Sequence, residues 1–428
     1  MSAVLSPTAA RRVFLALTVT RWFPVGLVAG ILTLWPLERG LTVPEALAAT
    51  SLTGITVFLL ELPTSGFADA FGRRPVYITA AIVLIASTVV FLTATAWWQF
   101  ALAAVLTGVF RALDSGPLEA WFVDTVHVTE PGADVDRDLS RQGTVLGTAI
   151  ATGALISGGL VWWHPIASQS ALLLPGLLYC ALGVVHLVAV VLILKEPDRR
   201  GAADGTRLRR GAVSVREAPV VVREGLSLLR HNHVLGGLVA VELFWSAGMV
   251  VFETFQPIRL AQLLGSEDAA AAVMGPVASG GWGLFALGAT LAAVGSRRLG
   301  VVRTAILARV LNGLGAVVMG LVVGPVALIA AYAVTYTLHG TAGPVHNALL
   351  HREASARNRS TVLSMNSMVS FLGFSLTAAL AGQLAAHTSV QVAMVVVGAF
   401  SVLGALGYLP ALRAERARRR EPEPVPVG

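Results

Sequence analysis

"SGFADAFGRRPV", residues 65–76, is a polar reversal set between two apolar runs, "LTGITVFLLELPT" (52–64) and "YITAAIVLIASTVVFLT" (77–93). Each run belongs to a segment of about 20 residues, the length an α-helix needs to cross a hydrocarbon layer of roughly 30 Å. No water reaches backbone groups inside such a layer, so a helix that bonds its own peptides is the conformation this composition requires. The stretch therefore reads as a short connection between two membrane crossings.

The rest of the chain repeats that pattern. Of 428 residues, 55% are hydrophobic and 13% charged, against about 25% charged in ordinary soluble domains. Polar breaks divide the chain into twelve spans near 12–36, 44–68, 75–96, 97–126, 141–163, 170–194, 233–258, 270–294, 302–322, 325–348, 360–384 and 388–411. The predicted fold is an all-α integral membrane protein of twelve transmembrane helices in two pseudo-symmetric six-helix bundles. Trp97 and Trp98, between the third and fourth spans, suit the headgroup region. The first span follows Arg11 and Arg12, yet it is too long for a signal-peptide core and lacks a small-residue cleavage site, so it is read as retained. Cys180 is the only cysteine, which excludes a disulfide framework and a cysteine-based metal site.

Basic residues orient the chain. With the N-terminus inside, 26 of the 31 Lys and Arg residues fall on the inner side, 2 outside (Arg39 and Arg259) and 3 within spans (Arg21, Arg111 and Arg309). The positive-inside rule selects this topology, with both termini cytoplasmic in the cell membrane. The net charge of +7 is accounted for without nucleic acid. The basic tail after residue 411 reads as a solvated anchor against anionic lipid.

A longer polar segment, residues 195–232, separates six spans from six. Its middle reads as linker, and Val222, Leu226 and Leu229 at helical spacing predict a short amphipathic helix on the inner membrane face. The expected units are 1–194, the linker 195–232, 233–411 and the tail 412–428. Superposing Gly72 on Gly300, in "VGSRRLGVVR" (294–303), gives an offset of 228 residues that carries the second span onto the eighth and the fourth onto the tenth. The halves read as a weak parallel repeat. Arg111 falls on His339 at this offset.

These residues resemble the major facilitator superfamily of secondary transporters. Its signature between helices two and three runs roughly G-x-L-A-D-R-x-G-R-K, and Phe67, Ala68, Asp69, Gly72, Arg73 and Arg74 fill most of it, with Ser65 and Ala70 departing. The first span, "RWFPVGLVAGILTLWPLERGLT", is similar to that of bacterial drug exporters in the superfamily. The fifth, "GTAIATGALISGGLV", keeps the closing Gly158-Gly159 of the drug–proton antiporter pattern without its Gly-Pro pair. The resemblance implies alternating access, with the signature loop as a conformational gate. Gly72 allows a tight reversal, Asp69 is positioned to cap an adjoining helix end, and Arg73 is in register to pair with Asp124.

One short stretch is unusually charged. "RALDSGPLEAWFVD" (111–124) puts Arg111, Asp114, Glu119 and Asp124 after an almost uncharged run. A charge at the centre of a lipid-facing helix costs about 2.5–3.5 kcal/mol on insertion scales, so these groups are expected to face protein or water. At 100° per residue, Arg111, Asp114, Ser115, Leu118 and Phe122 share one sector, with Glu119 at its margin, as the wall of a cavity. Arg21, about 14 Å along the first span, and Glu61, about 10 Å from the inner end of the second, lie at depths similar to Asp114. Two cations then face three carboxylates, and a carboxyl group left over can bind and release a proton.

The second half adds Glu242, Trp245, His339, His346 and Asn366 as candidate substrate or proton groups, with Glu253 read as solvated near the outer side. No nucleotide-binding loop, H-E-x-x-H or G-x-S-x-G is present, which argues against a pump or an enzyme. The reading is proton-coupled efflux of a small amphiphilic molecule by a monomer that needs no cofactor beyond the proton gradient. Proton-coupled metabolite uptake and a non-transporting sensor are the alternatives.

Overall fold

Every long apolar run is helical in the computed structural model, which describes residues 5–65, 67–196, 204–355 and 358–418; among these no strand occurs. The long helices are α1 (Pro7–Glu38), α2 (Val43–Ser65), α3 (Arg73–Thr93), α4 (Trp97–Thr129), α5 (Asp136–Trp163), α6 (Leu173–Ile193), α7 (His233–Leu264), α8 (Glu267–Leu299), α9 (Val301–Leu321), α10 (Pro325–Glu353), α11 (Arg359–His387) and α12 (Val390–Ala417). Eleven are apolar enough to cross a membrane by composition alone. The exception is α10, whose hydrophobicity is diluted by Tyr332, Tyr336, His339, His346 and Asn347. That helix turns its polar groups inward, as the next section shows.

Local chemistry sets the ends. Gln99 accepts hydrogen bonds from the Thr95 and Ala96 amides at 2.7 and 3.0 Å and starts α4 just past Thr93. Ser266 accepts from the Ala269 amide at 3.1 Å and Ser389 from the Val392 amide at 3.2 Å, capping α8 and α12. Gly72 and Gly300 precede α3 and α9 with nearly the same backbone, φ +102° ψ 156° and φ +87° ψ 157°, a region that L side chains resist. The two helices that follow, Arg73–Thr93 and Val301–Leu321, coincide at the offset of 228, as do the starts of α4 and α10 at Trp97 and Pro325. The internal repeat is thus a property of the structure as well as of the letters.

The helices run alternately between two ends. The terminal end carries the start of α1 and the close of α12; the opposite is the far end. At the far end a single apolar cluster joins the halves, with Ile31, Trp35 and Leu47 from the first and Phe255, Ile258, Met274 and Met394 from the second. The seam there is close: an added Cβ on Gly275 of α8 would come within 2.6 Å of the Gly158 amide of α5, so small residues let two backbones touch. At the terminal end the apolar clusters are separate, one around Phe14, Trp121 and Phe122 and another around Leu235, Val345 and Tyr408. The halves therefore share one apolar cluster at the far end, whereas at the terminal end each keeps its own and they meet through α2 and α11.

One further element spans the two halves there. The linker forms a helix, Asp204–His231, longer than the short helix expected. Its Ala218, Val221 and Val222 pack on Phe58 and Leu62 of α2 and on Met365 and Met368 of α11. Leu226, expected on the apolar face, is exposed, and Gly225 takes the contact against Met365 instead.

Candidate functional site

The charged stretch of α4 does not form one continuous face. The helix breaks at Ser115–Gly116, where Gly116 is left-handed at φ +87° and Pro117 restarts the next segment at its first turn. Counting 100° per residue across the break therefore fails. Leu118 and Phe122 turn into the core of the first half, Phe122 stacking on Phe14 at 4.4 Å, while Ser115 and Gly116 stay open to water.

Asp114 closes the segment before the break. Its Oδ2 accepts from Arg21 Nε and Nη2 of α1, both at 3.0 Å. The Arg21 guanidinium lies 4.5 Å over the Phe110 ring, and the pair is mostly buried, at 7% and 14% side-chain exposure. Arg111, one turn earlier, is accessible, with its guanidinium 5.3 Å from the Phe371 ring of α11. Glu119 accepts from the Gln142 amide of α5 at 2.9 Å. Glu61 accepts from the Ser367 hydroxyl of α11. Arg111 and Glu61 thus each reach an element of the other half.

In α7 the helix widens to a π-turn at Val250–Phe255, and Gln256-Pro257 continues it to Leu264. Pro257 falls in the first turn of that last segment, where its missing N–H costs nothing, so the polar letters "QPIR" do not end the span as expected. This moves Glu253 inward. Its neighbours Val250, Val251, Phe252, Thr254 and Phe255 are all buried, and Glu253 alone is accessible, within electrostatic reach of Arg111, Tyr332 and Tyr336. Glu253 is accessible, as expected, but it lies toward Arg111 of α4 rather than at the outer side. Widened turns of this kind recur at functional sites.

Behind that wall lies an aromatic cluster. His339 of α10 stacks on Trp245 at 5.0 Å and touches Phe252 at 5.0 Å and Tyr336 at 5.5 Å. Deeper, towards the terminal end, is a dry polar network. Glu242 Oε1 meets His346 Nε2 at 3.0 Å and Arg309 Nη2 of α9 at 3.8 Å. His346 Nδ1 meets the Tyr408 hydroxyl of α12 at 2.9 Å, which accepts from Arg309 Nε at 3.3 Å. Asn366 Oδ1 lies 3.2 Å from His346 Nε2. His346 Nε2 thus faces two acceptors, Glu242 Oε1 and Asn366 Oδ1, and Nδ1 faces the Tyr408 hydroxyl. Glu242 and Asn366 therefore belong to a buried network, not to an open wall. Arg309 and Tyr408 were not foreseen; an arginine inside an apolar span was the available signal.

The terminal loop holds a further surprise. The first amides of α3, on Arg73 and Arg74, donate to Glu196 Oε1 and Oε2 at 2.9 and 3.3 Å. Gly72 leaves room for that carboxylate: a Cβ there would lie 2.8 Å from Oε2. Arg73 Nη2 is 3.4 Å from Asp124 Oδ2, and Arg74 Nη2 donates to the Val191 carbonyl at 2.7 Å. The Glu196 carboxylate thus caps the start of α3. The side chain of Asp69 lies outside the described residues, as do the tail beyond Arg418 and residues 197–203. Among the described residues no three His, Cys, Asp or Glu side chains gather as for a metal.

Two halves around an inner cleft, with ionisable groups from both, match a known pattern. Residues 14–343 and 277–427 fit the family model of the Major Facilitator Superfamily. The chain belongs to that superfamily. Members of it are secondary transporters rather than enzymes, and so is this one. The solved nucleoside transporter NupG superposes with a TM-score of 0.74 at 12% identity, over 94% of this chain and 99% of its own. A POT family transporter in complex with 5-aminolevulinic acid gives 0.67 at 13%, over 97% and 96%. A peptide transporter POT in complex with alafosfalin gives 0.68 at 15%, over 96% and 95%. At such identities these structures share the fold and no more. No curated protein sequence matches the chain.

Proposed function

We propose that this superfamily member exports small amphiphilic molecules in exchange for protons, by alternating access, as a monomer in the cell membrane. One observation carries the reading: accessible Arg111 of α4 and Glu253 of α7 lie between the halves beside Phe371 and Tyr336, and the halves share an apolar cluster at the far end but keep separate ones at the terminal end. The basic loops put the terminal end in the cytoplasm, so this arrangement is inward-open. Both halves come from one chain, which makes the cleft complete without a second copy.

Asp114 is the proposed proton carrier. Its negative charge is paired with Arg21 and lies within electrostatic reach of Arg111, beside accessible Ser115 and Gly116. A proton neutralises that charge, and the protonated and substrate-loaded forms exclude each other, which produces exchange rather than co-transport. The aromatic wall offers apolar area to the substrate body. Closure of the terminal end would draw in the Glu196 cap, the Arg73–Asp124 pair and the rest of the loop at 65–76, while the Gly158–Gly275 seam opens. No cofactor is needed for this cycle.

Proteoliposomes with an imposed pH gradient test it. Vesicles acid inside should accumulate an amphiphilic dye as protons leave. Accumulation only when the interior is alkaline would make the protein a symporter, and flux indifferent to pH would remove proton coupling.

A further inference from the structure

Arg111 and Glu253 interact across the two halves, with Arg21 and Asp114 also within electrostatic reach of Arg111. Both are accessible to water although the protein surrounds them, and they come from opposite halves, Arg111 from α4 and Glu253 from the π-turn of α7. Nearby charges are already engaged: Arg21 holds Asp114, and Arg309 and His346 hold Glu242. Among the described residues neither Arg111 nor Glu253 makes an ion pair or hydrogen bond through its side chain, yet each lies within electrostatic reach of the other. The nearest wall is aromatic. Phe371 lies 5.3 Å from the Arg111 guanidinium, and Tyr332 and Tyr336 stack at 5.1 Å beside Glu253.

We infer that the cleft selects small zwitterions, whose anionic pole sits on Arg111, whose ammonium pole sits on Glu253 and whose apolar body lies against Phe371 and Tyr336. This rests on the transporter reading above and gives its substrate class. The physical reason is desolvation. As the halves close, water leaves both charges, and an ion stranded without a partner in a dry cleft is strongly disfavoured. A ligand with one charge satisfies one half and strands the other. A ligand with two opposite charges replaces water at both and bridges α4 to α7, so it favours the closed form that transport must pass through. Arg111 can grip a carboxylate or phosphate with two parallel N–H donors, which sets the orientation of the bound molecule.

The test uses the purified full chain in nanodiscs and matched probes: phenylalanine and alanylphenylalanine, the methyl ester of each (ammonium only) and the N-acetyl form of each (carboxylate only). At least one zwitterion should bind about tenfold or more tighter than both of its singly charged forms, as one charge-assisted contact implies. Arg111→Gln should drop that zwitterion to the affinity of its ester and leave the ester unchanged. Glu253→Gln should drop it to the affinity of its N-acetyl form. Arg111→Lys should restore part of the preference, which separates charge from folding. If no zwitterion outbinds its singly charged forms, or if each variant weakens all three forms alike, the inference falls. Driven flux of tetraphenylphosphonium in the same preparation then decides how far the failure extends: persisting flux leaves the transporter reading standing, and its absence for every compound takes that down too.

Discussion

Helices α4 and α10 occupy equivalent places in the two halves, and they treat charge in opposite ways. In the first half the helix breaks at Gly116, and its ion pair, Arg21–Asp114, stands beside open backbone. In the second the helix passes through the matching position, Pro344, unbroken, and its charges are buried at 2–3% exposure behind His339 and Trp245. The chemistry is displaced as well as hidden. At the offset of 228, Glu242 and His346 fall on Phe14 and Leu118, which are core residues of the first half, while Arg21 and Asp114 fall on Met249 and Ala342. The same scaffold thus carries one mostly buried ion pair beside accessible backbone and one buried more deeply. The first suits a group that must gain and lose a proton; the second, tied to α9, α11 and α12 through Arg309, Asn366 and Tyr408, suits a fastener.

Substitutions can break or sharpen that contrast. Glu242→Gln should have the largest effect on folding, about 3–5 kcal/mol, because it leaves Arg309 charged and unpaired in a dry interior. Thermal unfolding in detergent measures it, and a change no larger than that of Asp114→Asn would erase the distinction between the halves. Asp114→Asn should cost less, about 2 kcal/mol, since Asp114 keeps 14% side-chain exposure against 2% for Glu242. It should nonetheless abolish flux driven by a pH gradient, and normal driven flux would remove Asp114 from coupling. Tyr408→Phe, which takes away the hydroxyl between Arg309 and His346, should destabilise by about 1–2 kcal/mol and leave driven flux per folded molecule near the parent value. Glu196→Ala removes the cap from α3 and should cost about 1 kcal/mol. Its sharper signature is faster exchange between open forms, read from paired spin labels across the terminal end; unchanged exchange would make this carboxylate a simple helix cap.

Much of the architecture was legible because a membrane leaves few choices. Runs of about 20 apolar residues must be helices, and the repeat between Gly72 and Gly300 was visible as letters before the matching φ values gave it a physical cause. Site residues were legible as types: Arg21, Arg111, Asp114, Glu242 and His339 are too costly in lipid to be incidental. Their partners were not. Glu253 was misplaced because "QPIR" resembles the end of a span, and a π-turn cannot be seen in periodicity. Arg309 and Tyr408 lie 99 residues apart and meet only through packing.

Sequence by itself determined the twelve crossings, the twofold internal repeat and which side chains had to be shielded from lipid, because these follow from the transfer of single groups out of water. Tertiary structure alone decided which charge meets which, that α4 breaks where α10 does not, and that Arg111 and Glu253 face each other unpaired. Those outcomes depend on distances of a few ångströms between helices far apart in the chain, and electrostatic interaction at that range is set by packing rather than by composition.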